Sequence, residues 1–404
     1  MVKTFLIKPS SGACNMHCTY CFYKDEIDNR SIKSYGFMSI ETAKNLIDKA
    51  LSSSDNVCFS FQGGEPTLSG LDFFKEFTSY AREKGGERVS FALQTNGYIV
   101  DREWAAFFRE NGYLIGLSMD GNKKIHDIYR LDNNKKGTFV KTFRAASFFK
   151  AENVEFNILT TVNREVAEHI KEVFDFFKRN GFKYLQFIPC LDEISGVKND
   201  YSLSPELYSK ALKELFDRYF DSWQRGEYIS IRYFDNLVTM LLGYPPEACG
   251  MSGICGNYYV IEGDGSVFPC DFYVLDEYKM GNINTDDIPT LDENRRAIGF
   301  IQKSTKIEEE CRACKYFKLC RGGCRRDREN FKEGILGLNY LCPAYKDFFD
   351  YAINRLLFMA ESERRSARWK TNPILYIVIL LFSYKTTKDI TPTINIYGAL
   401  YPFA

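Results

Sequence analysis

Six apolar, β-branched runs recur along the first 235 residues, and an amphipathic segment follows each of them. The runs are KTFLIKP (3–9), NVCFSFQ (56–62), RVSFALQ (88–94), YLIGLSM (113–119), VEFNILTTV (154–162) and YLQFIPC (184–190). The helical segments are SIETAKNLIDKAL, LDFFKEFTSYAREKG, DREWAAFFREN, FVKTFRAASFFKAEN, REVAEHIKEVFDFFKRN and SPELYSKALKELFDRYF. Ser39 is placed to cap the first of these, with Thr42 rather than Glu at the third helical position. Six strand–helix units in a row predict an α/β fold with a parallel sheet. Its functional loops then gather at the C-terminal ends of the strands.

The polar insertions fall at those ends. The first strand leads into a cysteine loop, the second into GGEPT, the third into TNG and the fourth into DG. Four loops converging on one rim make a site. From about residue 236 to 365 the pattern changes to short Gly- and Cys-rich pieces, which predicts a small domain held together by metal. A helix, YKDFFDYAINRLLFMAESERR (345–365), closes it. The tail, 366–404, contains ILYIVILLF (374–382), nine apolar residues and half of a membrane span. It reads as a buried strand or an extension, not an anchor, and is assigned no role.

Composition narrows the function. Lys+Arg and Asp+Glu are both 53 in 404 residues, so no basic excess argues for nucleic acid. The N-terminal MVKTFLIKPS has only a three-residue apolar run and is no signal peptide. Thirteen cysteines without an export signal belong in a reducing, cytoplasmic setting, where metal binding or catalysis is expected before disulfides.

The cysteines group by spacing. CNMHCTYC holds Cys14, Cys18 and Cys21 as C-x3-C-x2-C, with no fourth cysteine nearby. Zinc normally takes four ligands, and His17, inside the loop, is the one local candidate for a fourth. The other reading is a [4Fe–4S] cluster, normally held by four thiolates, with one iron left open for chemistry. Downstream, Cys249, Cys255 and Cys270 form a loose group. CRACKYFKLCRGGC supplies Cys311, Cys314, Cys320 and Cys324, and Cys342 follows. The C-x2-C is the usual zinc signature, but its neighbours lie too close for two knuckles of a zinc ribbon. Eight cysteines make two sets of four. Cys58 and Cys190 sit in apolar strands and read as core residues.

C-x3-C-x2-C after a first strand, with Tyr20 before the third cysteine, resembles the radical S-adenosylmethionine (SAM) enzymes. FQGGEPT (61–67) resembles their second-strand motif, in which glycines let the backbone approach SAM. The downstream cysteines resemble a SPASM domain with two auxiliary [4Fe–4S] clusters. NRSIKSYGFMS, FQGGEPTLSGLDFF, LQTNG, GLSMDG, VEFNILTTV, SIRYFDNL, GDGSVFPCDFYVLDEYKMGNI and CRGGCRRD together resemble the anaerobic sulfatase-maturating enzymes, from about residue 3 to 362.

That resemblance implies a partial (β/α)6 TIM barrel followed by the SPASM domain. It implies a SAM cluster at Cys14, Cys18 and Cys21. One auxiliary cluster falls to Cys249, Cys255, Cys270 and Cys324, and the other to Cys311, Cys314, Cys320 and Cys342. The implied reaction oxidises a Cys or Ser of a sulfatase to Cα-formylglycine. A deoxyadenosyl radical abstracts hydrogen from Cβ, Asp271 takes the proton, and the auxiliary clusters take the electron. Tyr20, Gly64, Ser118, Arg130 and Leu191 would contact SAM, Arg130 through its carboxylate. Tyr23 and Gln62 would hold the peptide. The implied partners are an unfolded or nascent sulfatase and a flavodoxin or ferredoxin as electron donor, with no nucleic acid and no membrane, and the protein a monomer. A maturase that crosslinks small peptides is a rival enzyme reading. The start of the chain almost at its first strand, without a leader-binding domain, counts against it. A multi-cluster electron carrier or a zinc-binding module is the rival of another class.

Overall fold

In a computed structural model, residues 2–365 are described; the tail 366–404, with ILYIVILLF, lies outside the described residues. All six expected strands form: β1 (Val2–Ile7), β2 (Asn56–Phe61), β3 (Val89–Thr95), β4 (Tyr113–Ser118), β5 (Phe156–Val162) and β6 (Tyr184–Pro189). They pair in parallel in chain order. A two-residue strand, β7 (Ser230–Ile231), extends the β6 edge. The sheet is not closed, so the architecture is a partial barrel.

The Cys-rich part does not stand apart as expected. It contributes β8 (Tyr259–Ile261), β9 (Ser266–Phe268) and β10 (Gly281–Asn282), and β8 pairs in parallel with β1. Three-residue strands give too little periodicity to be seen in sequence. The join carries a row of aromatic rings across five strands, in register: Tyr259, Phe5, Phe59, Phe91 and Tyr113. Successive ring centroids lie 4.9, 6.2, 6.3 and 4.9 Å apart, and all five are buried. Such pairs are worth about 0.5–1.5 kcal/mol each beyond the area they bury.

The helices follow the amphipathic segments with local departures. Ser39 caps Ile40–Ser53 by accepting from the Thr42 N–H. The segment 164–180 is two helices, Arg164–Glu168 and Ile170–Arg179, broken at His169. The C-terminal helix starts at Cys342 rather than 345, which puts the last cysteine on its first turn. Residue 236 lies inside the helix Arg232–Leu241, and an unforeseen short helix, Phe22–Asp28, follows Cys21 directly.

Arg328 ties the cysteine loops together. It is buried and donates to the carbonyls of Lys306 and Ser304 at 2.9 Å, Gly253 at 3.3 Å and Cys324 at 3.4 Å. These carbonyls belong to the segments that carry Cys255, Cys311 and Cys324. Arg328→Met should strand all four acceptors and cost at least about 3 kcal/mol, read as a fall in thermal unfolding temperature.

Candidate functional site

The four loops do meet at the C-terminal rim of the sheet, and buried polar groups lock them. Glu65 of GGEPT is buried and accepts from the Thr67 hydroxyl at 2.7 Å, the Thr95 hydroxyl at 2.7 Å and the Asn96 N–H at 2.8 Å. It thus binds the second loop to TNG. Asn96 in turn donates to Asn15 at 2.9 Å and lies 3.7 Å from the Cys14 sulfur. The two glycines have immediate uses within the protein. A Cβ on Gly64, where φ is +55°, would lie 2.4 Å from the Ala13 carbonyl oxygen; one on Gly63 would lie 2.6 Å from Lys8. Glycine at these positions lets the cysteine loop and Lys8 seat against the second loop.

Burial is the largest cause raising the pKa of each of Cys14, Cys18 and Cys21; Cys18 and Cys21 add to the rise at Cys14, Cys21 adds to that at Cys18, and Cys18 is pushed up to about 12. Arg130 hydrogen-bonds Cys18 and acts against that rise. The eight downstream cysteines line two separate clefts. Cys249, Cys255, Cys270 and Cys324 line one solvent-open cleft of about 1110 Å³. Cys311, Cys314, Cys320 and Cys342 line another of about 350 Å³. Charge coupling respects the same division: Cys255, Cys324 and Cys249 bear on Cys270, and Cys342, Cys311 and Cys314 bear on Cys320.

Among the described residues, the one group of three or more metal-ligating side chains within 4.8 Å is Glu165, Glu168 and His169, with no cysteine in it. His17 is exposed and accepts from Lys24 at 3.0 Å, so it makes no fourth ligand. All thirteen cysteines are free of disulfides. Cys58 is a buried core residue of β2. Cys190 is also buried but lies just past β6, packed with Tyr20, Tyr129 and Tyr201 against Cys18.

Around the three-cysteine loop, Asp120 is the buried hub. Arg130 donates to it through Nε at 2.9 Å and Nη2 at 3.3 Å, and the Tyr20 hydroxyl and the Thr161 N–H also donate to it. Arg130 thus already has a carboxylate partner within the protein. Ser118, at the end of β4, accepts from Gln94 at 3.2 Å. Leu191 lines the larger cleft beside Cys249 and Cys270.

A second buried group sits beside β1 and β2. Asp271 pairs with Lys8 through one oxygen and accepts from Gln62 at 2.6 Å through the other. The oxygen of that amide, Gln62 Oε1, is buried with no partner among the described residues. The Tyr23 ring lies 3.8 Å from the Lys8 ammonium, and its hydroxyl donates to Glu262, which also pairs with Arg30. Glu26 is buried with neither oxygen hydrogen-bonded among the described residues; burial, then the Asp271 charge, pushes its pKa well up.

Lys8, Glu26, Arg30, Asn96, Asp120 and Glu262 were not singled out from sequence. Lys8 and Asp120 left a signal, since each is a charged residue at the mouth of an apolar strand.

The barrel rim, the three-cysteine loop and the two four-cysteine clefts define a radical SAM protein with an appended iron–sulfur domain. Residues 9–177 match the radical SAM superfamily, and 252–315 match SPASM, an iron–sulfur cluster-binding domain. The chain is 46% identical over 364 residues to a cysteine-type anaerobic sulfatase-maturating enzyme of Clostridium perfringens, covering 89% of this chain and 98% of that one. It is 31% identical to a serine-type enzyme of Bacteroides thetaiotaomicron, covering 88% and 90%. The structure of native anSMEcpe with bound AdoMet and Cp18Cys peptide superposes with a TM-score of 0.84 at 45% identity, covering 90% and 99%. The chain belongs to the anaerobic sulfatase-maturating enzymes.

Two outcomes are expected here. Glu65→Gln turns a donor toward the Asn96 N–H and should cost about 2 kcal/mol, with iron lost from the purified protein. A buried carboxyl of raised pKa adds stability below its unfolded pKa of about 4.3 and loses it as pH rises through the folded value. Glu26→Gln should therefore lose less thermal stability than wild type as pH is raised above about 5.

Proposed function

We propose that this enzyme oxidises an active-site cysteine of a sulfatase to Cα-formylglycine, with serine the poorer substrate. The observation that carries the reading is Asp271. A carboxylate directly after Cys270 is delivered to the mouth of β1 and β2 and gripped there at both oxygens. The greater identity to the cysteine-type relative supports the choice of cysteine.

Cys14, Cys18 and Cys21 would hold a cluster with one open iron. Cys249, Cys255, Cys270 and Cys324 would hold a second, and Cys311, Cys314, Cys320 and Cys342 a third, all [4Fe–4S]. SAM held at the first would supply hydrogen-atom abstraction from Cβ, and the other two sites would give the substrate's electron a place to go. Tyr20, Gly64, Ser118, Arg130 and Leu191 would line the SAM site, with Asp120 holding Tyr20 and Arg130 in place. Gln62 Oε1 is a free acceptor for the substrate, and Tyr23 braces it. Asp271 takes the proton of the substrate thiol.

The barrel, 1–235, would thus carry the SAM chemistry and 236–365 the auxiliary clusters. Proposed partners are an unfolded or nascent sulfatase in the cytoplasm and a low-potential carrier such as a flavodoxin or ferredoxin, with the enzyme a monomer. No helix among the described residues is long and apolar enough to cross a membrane.

Anaerobic analysis should find about twelve irons per chain, from three four-iron clusters; zinc with little iron would contradict this. Reduced enzyme, SAM and a short sulfatase-motif peptide should give a carbonyl product by mass spectrometry, faster from the cysteine peptide than from its serine counterpart. A crosslinked peptide would favour the rival maturase. Asp271→Asn should cleave SAM but form at least about 100-fold less formylglycine.

A further inference from the structure

We propose that Lys8 is a positioning residue for the base, fixing the direction in which the Asp271 carboxylate faces the substrate. The inference rests on the reading of Asp271 as the proton acceptor.

Lys8 is the first residue past β1 and is fully buried. Its backbone N–H donates to the Ile261 carbonyl at 2.8 Å, so its stem starts at the seam between barrel and Cys-rich part. The side chain occupies the space a Cβ on Gly63 would fill, and the ammonium sits over the Tyr23 ring at 3.8 Å. From there it pairs with Asp271 Oδ1, while Gln62 donates to Oδ2. Asp271 itself lies in the loop after β9, outside the barrel sheet. Its orientation is therefore set by two residues at the ends of barrel strands.

A buried ammonium needs an anion, because desolvation without a partner is costly. Two acidic side chains besides Asp271 are buried in this region. Glu262 is engaged by Arg30 and Tyr23. Glu26 has no hydrogen-bond partner among the described residues, and its raised pKa favours the neutral acid. Asp271 is left as the counter-charge of Lys8. Every anchor of Lys8, from the Ile261 carbonyl to the Gly63 gap and the Tyr23 ring, aims it at this one carboxylate.

A purely structural ion pair makes a different prediction from a positioning one. The test is a double-mutant cycle on reconstituted holoenzyme: wild type, Lys8→Met, Asp271→Asn and the double variant. Iron content, thermal unfolding and the ratio of formylglycine to 5′-deoxyadenosine are measured for each. Lys8→Met should keep its iron and cleave SAM, yet lower that ratio at least about tenfold. The double variant should match Asp271→Asn, because Lys8 acts through Asp271. Should Lys8→Met alone not fold, the Asp271→Asn background decides, since the double variant contains no uncompensated charge. A further tenfold loss there would overturn the proposal. A wild-type ratio in Lys8→Met with Asp271→Asn impaired would overturn it while leaving the base assignment intact. Full product from Asp271→Asn would instead remove Asp271 as the base.

Discussion

The stacking of Tyr259 on Phe5 is the contact on which the arrangement of this enzyme depends. It extends an aromatic row through β2, β3 and β4, and so welds a Cys-rich segment to a first barrel strand whose Phe5 lies 254 residues before Tyr259. The hairpin that starts at Tyr259 leads directly into Cys270 and Asp271. Registering β8 on β1 therefore also places this cysteine and its neighbouring carboxylate at the strand end that leads into the three-cysteine loop. One packing interaction aligns the two halves of the chemistry.

Buried charge is organised around that seam. Lys8 with Asp271, Arg30 with Glu262, and Arg130 with Asp120 are three ion pairs withdrawn from water. Such pairs seldom add net stability, because desolvation offsets the attraction. Each of these also fixes a side chain at the rim: the candidate base, Tyr23 through Glu262, and Tyr20 through Asp120. Orientation of those groups is a physical reason to keep charges where apolar residues would pack as well.

Much of this was legible in the sequence, because periodicity and spacing are local. The six strands fell within a residue or two of their expected ends, whereas the division of the eight downstream cysteines came from the family resemblance and not from their spacing. The role of Glu65 as a brace, the engagement of Arg130 by Asp120, and the grip of Lys8 on Asp271 were not legible. Each joins two different loops or strand ends, ten residues apart for Arg130 and Asp120 and 263 for Lys8 and Asp271, and no single periodic segment encodes it. The strands β8 to β10 were missed for a different reason: two or three residues show no alternation, and only the neighbouring β1 makes them strands. The helix break at His169 was likewise not legible, since it falls inside one amphipathic run.

The division between three ligands and four is the central claim, and electron paramagnetic resonance tests it directly. Spectra of the reduced enzyme should be recorded with and without SAM. One cluster signal should shift on adding SAM, because one iron held by Cys14, Cys18 and Cys21 would be open, and the signals of the two four-cysteine sites should not move. Shifts in more than one signal, or in none, would contradict it.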